Sequence, residues 1–147
     1  MRHLTCSVAG PTHLGAGELR ELDAVIDRLI SFFAGEIGIR CFLIPALPGF
    51  DAYMANALLS RSDNLPGVEV ELLVPFRDMT PLWPGDAASL DCLMAGAYKV
   101  VNLYELYPTQ SLLHCGRYMR SRAAHELTHP NLWDGIMRLM NHQPGTV

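Results

Sequence analysis

The sequence predicts a single-domain α/β protein of Rossmann-like type, with a mostly parallel sheet and helices on both faces. Three observations carry this. Apolar, strand-like runs alternate with stretches of helical periodicity, the pattern of a parallel sheet built by right-handed crossovers. Each of the first three runs ends in a Gly/Pro loop. A chain of 147 residues, half of them hydrophobic, fits one domain with a real core.

The elements follow in order. Leu4, Cys6 and Val8 alternate with polar residues and lead into Ala9-Gly10-Pro11, a strand ending in a turn. Leu19, Leu22, Ile26, Leu29, Ile30 and Phe33 recur at helical spacing, and Gly35 is the expected stop. Cys41-Phe42-Leu43-Ile44 is a continuous apolar run, suited to a strand buried on both faces, and Pro45 ends it. Asp51 opens a helical stretch from Ala52 to Leu59. Val68 to Val74 is a third strand, stopped by Pro75, and a proline-rich loop follows to Pro84. A short helix is expected over Ser89 to Ala95, a fourth strand over Val100 to Leu103, and a last helix over Leu112 to Ala124.

Composition removes several function classes. The net charge is −4 and Lys99 is the only lysine, so the basic face of a generic nucleic-acid binder is missing. The positive charge is almost all arginine, which suits discrete forked contacts to phosphate or carboxylate. Cys6, Cys41, Cys92 and Cys115 form no C-x-x-C pair and read as reduced thiols of a cytoplasmic protein. No apolar run is long enough to span a bilayer, and the N-terminus lacks a signal-peptide layout.

In a parallel sheet, ligands bind outside the carboxyl ends of the strands. Three loops are expected to converge there. They are Ala9-Gly10-Pro11-Thr12-His13, then Pro45-Ala46-Leu47-Pro48-Gly49-Phe50-Asp51, then Pro75-Phe76-Arg77. Glycine lets backbone N–H groups approach an anion, and a following helix N-terminus adds a favourable dipole. Asp51 has two readings, a helix-start cap or an acceptor for ribose hydroxyls. Trp83 is either a stacking platform for a base or a hydrophobic plug. Arg117, Arg120 and Arg122 share one expected helix, and either form a solvated face or include a ligand contact at Arg117.

At these residues the sequence resembles the SLOG superfamily in its YpsA-like branch, a group related to the DprA/Smf DNA-processing proteins and the LOG phosphoribohydrolases. The branch opens with a strand and a T-G-x-R-P-like loop, where this chain has Ala9 to His13. Its second loop, S-G-x-A-x-G-x-D followed by W-A-A, corresponds to Ile44 through Asp51 and then Ala52-Tyr53-Met54-Ala55. Pro75 and Trp83-Pro84 match the next spacing. Ala97-Tyr98-Lys99-Val100 matches an A-D-x-V strand, and Arg117-Tyr118-Met119 matches an R-Y-M-V-D helix. The similarity covers about residues 4–119; residues 120–147 read as divergent or truncated, with Trp133-Asp134-Gly135 and Pro144-Gly145-Thr146 in place of late W-D-G and G-G-T loops.

The resemblance implies a nucleotide-derived ligand, such as an ADP-ribose or NAD-related molecule, bound by a sensor or regulatory module. It implies phosphate held by backbone N–H groups near Gly10 and Gly49, with Arg117 reaching a phosphate or carboxylate across the pocket. The implied ligand set is Gly10, Pro11, Thr12, His13, Ala46, Gly49, Asp51, Phe76, Trp83, Arg117, Gly135, Gly145 and Thr146. No cofactor is firmly implied, and a homo-oligomer is compatible. The LOG signature P-G-G-x-G-T-x-x-E is absent, so LOG-type hydrolysis is not implied. Ile44 and Pro45 stand where the branch has serine and glycine, which leaves open a member acting through protein contacts alone.

A competing motif lies near the end of the chain. His125-Glu126-Leu127-Thr128-His129 spells H-E-x-x-H, which on a helix places two imidazoles on one face for zinc with a glutamate as general base. A third ligand would come from Asp134 or His142. The alternative expectation is therefore a zinc-dependent hydrolase; without zinc, the same residues read as a solvated histidine pair at a helix C-terminus, where cationic imidazoles suit the dipole.

Overall fold

The computed structural model describes residues 2–106 and 112–128. Five strands form one all-parallel sheet: β1 (Thr5–Ala9), β2 (Cys41–Pro45), β3 (Glu69–Val74), β4 (Lys99–Asn102) and β5 (His125–Thr128), in the order β4-β3-β2-β1-β5. The helices are α1 (Ala16–Ile30), α2 (Phe50–Ser60), α3 (Ala87–Gly96), the single turn α4 (Leu103–Leu106) and α5 (Leu112–Arg122). The Rossmann-like α/β fold expected from the alternating pattern is the fold observed.

Strand pleat sorts the side chains into two cores. Cys6 and Val8 of β1, Phe42 and Ile44 of β2, and Val70, Leu72 and Val74 of β3 point to one face. There they pack on Leu22, Ile26, Leu29 and Ile30 of α1, Met54 and Leu58 of α2, and Leu90 and Leu93 of α3. The alternate residues Leu43, Leu73 and Val101 point the other way, onto Cys115, Tyr118 and Met119 of α5. This division follows from handedness. Three successive right-handed crossovers in one direction put α1, α2 and α3 on one face, and the reversed step from β4 to β5 puts α5 on the opposite face. The direction of winding therefore changes at β1, between β2 and β5.

Two local expectations are corrected. Helix α1 does not stop at Gly35: it continues as a π-helical turn, Ser31–Ile37, and ends where Gly38 takes a left-handed φ of 84°. That conformation is open to glycine at little cost, so Gly38 and not Gly35 is the terminator. The last helix stops at Arg122, and His125–Thr128 is a strand paired with β1 through Cys6–His125 to Ala9–Thr128.

Candidate functional site

Because the sheet is parallel, the carboxyl ends of β1, β2 and β3 share one rim, and the loops after Ala9, Pro45 and Val74 meet there. Backbone hydrogen bonds tie the second loop to the first and to β3. The Ala46 N–H donates to Leu73 O at 2.9 Å, and the Phe50 N–H donates to Pro11 O at 3.0 Å. Gly10 lies against the Phe50 ring, and Gly49, at φ 80°, lies against the backbone of Pro11, Thr12 and His13; a Cβ at either glycine would come closer than 3.0 Å to those atoms. Both glycines thus serve close approach of one loop to the other. Pro11, Thr12 and His13 remain exposed, and Phe76 is half-buried against the core.

Trp83 is a plug. It is only 3% exposed, and its indole N–H donates to the carbonyl of the buried Ala46 at 2.9 Å. A base cannot stack on a ring sealed in this way, so the platform reading is corrected; the third loop is anchored to the second through this ring. In a Trp83→Phe variant the Ala46 carbonyl loses its partner in a buried setting. The expected destabilisation is about 1–3 kcal/mol, read from the midpoint of urea unfolding. An unchanged midpoint would show that the indole hydrogen bond is dispensable.

Between the loops remains a hollow of about 460 Å³. Thr12 and Pro48 form one side, and Pro81, Leu82, Pro84 and Asp86 the other, with an edge of Trp83 at the base. The walls are mostly apolar, with the Thr12 hydroxyl and the Asp86 carboxylate as polar groups. Asp86 also accepts the Ser89 hydroxyl at 2.6 Å.

The helix starts along this rim already hold carboxylates of the chain itself. Glu18 accepts the Gly15 N–H at 3.2 Å at the start of α1. Asp86 directly precedes α3. Asp51, in the first turn of α2, accepts the Gly10 N–H. Asp51 is neither a helix cap nor exposed for ribose: Gly49 is the N-cap residue of α2, and Asp51 is 1% exposed with its Oδ1 unpartnered. Burial pushes its pKa up to about 8, against the lowering effect of the Gly10 bond. The backbone of Gly10, which the sequence offers to phosphate, thus lies beside a buried side chain of the next loop.

Arg117 is exposed on α5, the helix that covers the other sheet face, and does not border the hollow. Gly135, Gly145, Thr146 and His129 lie outside the described residues. The helical premise of the H-E-x-x-H reading is overturned, because His125–Thr128 is extended. Among the described residues no cluster of His, Cys, Asp and Glu has metal-binding geometry. No described helix is long and apolar enough to cross a membrane.

The sequence reading missed the edge strand β5, and with it the reversal of winding at β1. The signal was slight: a period of two over only four residues, with Leu127 as the one buried apolar side chain. No family model and no curated protein matches this chain.

Proposed function

We propose that the protein binds a nucleotide-derived small molecule in the rim hollow, and grips it by the nucleoside portion. The observation that carries this is the hollow itself, formed by three successive strand-end loops at the edge where parallel sheets receive ligands. Its size falls within the range of small-molecule pockets. Pro48, Pro81, Leu82 and Pro84 offer apolar walls to a flat ring, while Thr12 and Asp86 suit hydroxyls or an exocyclic amine. The carboxylates at the starts of α1 and α3 disfavour phosphate beside them. The phosphate end of such a ligand would therefore extend toward solvent past the exposed His13. The ordered resemblance to the YpsA-like branch supports the same ligand class, ADP-ribose and NAD-related molecules included.

Isothermal titration against adenosine, AMP, ADP-ribose and NAD tests the reading. The nucleoside is expected to bind at least as tightly as its phosphorylated forms. Thr12→Tyr, which fills the hollow from an exposed loop position, is expected to abolish binding. No detectable binding of any of the four at millimolar concentration would overturn the proposal.

A further inference from the structure

A second cavity, of about 400 Å³, lies on the opposite sheet face toward the amino ends of the strands. Its floor includes Cys41 and Leu43 of β2. One wall is Glu69 and Glu71 of β3, and the facing wall is Arg122, at the end of α5, with Arg2. Helix α5 covers the carboxyl half of this face with Cys115, Tyr118 and Met119, and leaves the groove beside its last turn.

The composition of this groove is unusual for a parallel sheet, whose inner strands are ordinarily apolar on both faces. Two half-buried carboxylates on an inner strand are costly unless neutralised. Glu71 has one long ion pair, 3.9 Å to Lys99, and accepts the Cys41 thiol at 3.2 Å. Burial, then Glu71 and Glu69, push that thiol up to about 12, so the negative wall acts on the groove floor. Across the gap, the Arg122 guanidinium rests on the Tyr118 ring at 3.8 Å and donates to Ser121 Oγ at 3.0 Å, which fixes its place. No ion pair joins the two guanidiniums to the two glutamates among the described residues. Opposite charges are thus held apart across a cavity rather than closed on each other.

We propose that this groove is a binding site for a small zwitterion of the α-amino acid class, with its ammonium at Glu69 and Glu71 and its carboxylate at Arg122 and Arg2. A guanidinium recognises a carboxylate through parallel N–H donors, and two carboxylates supply the acceptors that an ammonium requires. A ligand with either charge alone would leave one wall unanswered, so both are needed together.

The test is titration of the full chain with the standard L-amino acids at millimolar concentration, with the matching amine and the matching carboxylic acid as single-charge probes. At least one amino acid is expected to bind, and both single-charge probes at least tenfold more weakly. The backbone amide resonances of Thr5, Cys41 and Ser121 should move, and those of Thr12 and Asp86 should not. Glu69→Gln and Arg122→Gln, neither of them at a core position, are each expected to weaken binding at least tenfold with an unchanged melting temperature. Thr12→Tyr should leave it intact, which separates this site from the rim hollow. Binding by no amino acid, equal binding of the amine alone, resonance shifts confined to the rim, or unchanged affinity in both charge variants would each overturn the proposal.

Discussion

Gly49→Ala is expected to cost about 3–5 kcal/mol of stability, enough to lower the melting temperature by about 10 °C in a domain of this size. Two effects add at this position. Gly49 has φ 80° and ψ −129°, a region that residues with a Cβ enter only under strain of about 1–3 kcal/mol. The new methyl would also overlap the backbone of Pro11, Thr12 and His13, and backbone cannot yield as a side-chain tip can. Gly38→Ala shows the milder cost of a left-handed position with open space around it, at φ 84° and ψ 28°. No neighbouring heavy atom lies within 4 Å of an added Cβ. Strain alone predicts a loss of about 1 kcal/mol there. Urea unfolding of both variants measures the difference. Equal losses would mean that the first two rim loops are not locked together by this close approach.

Asp51→Asn is expected to abolish a steep pH dependence of stability. The carboxyl has its usual pKa of 3.8 in the unfolded chain and about 8 in the folded one, raised chiefly by burial. The folded state therefore keeps a proton that the unfolded state releases. The stabilisation is complete below pH 4, declines by about 1.4 kcal/mol per pH unit up to about pH 8, and levels off above. The Gly10 N–H bond opposes the shift and Cys115 is the titratable group beside Asp51; its thiol is held up to about 12 by burial first and by Asp51 second, so it stays neutral through this window. Asparagine has nearly the same shape, can accept the Gly10 N–H, and does not ionise. Denaturant unfolding at pH 5, 6.5 and 8 should show the variant gaining on the parent at each step, by several kcal/mol in all. Parallel pH profiles would show that the carboxylate is ionised and solvated in the folded protein.

Much of the fold was legible because each of the first three strands is marked twice, by an apolar run and by the residue that stops it. Cys41 to Ile44 ends at Pro45, and Val68 to Val74 ends at Pro75. In α1 the residues Leu22, Ile26, Leu29 and Ile30 were visible as a helical stripe, and they are the ones buried. β5 escaped because His125-Glu126-Leu127-Thr128 has too little apolar content to declare a strand, and together with His129 the string spells a motif that is read on helices. Its conformation depends on β1, whose free edge supplies four backbone partners from Cys6 to Ala9.

The same boundary runs through the candidate site. Sequence by itself determined which loops meet, because alternation of strands and helices compels a parallel sheet and a parallel sheet puts its strand ends on one rim. Tertiary structure alone decided what those loops enclose. The Phe50 ring against Gly10, the Trp83 indole on the Ala46 carbonyl and the burial of Asp51 beneath Gly10 are contacts between segments far apart in the chain. Local periodicity reports which way a side chain faces. Whether a glycine-rich loop opens toward solvent or closes on a neighbouring ring depends on a distance between loops that only the packed molecule sets.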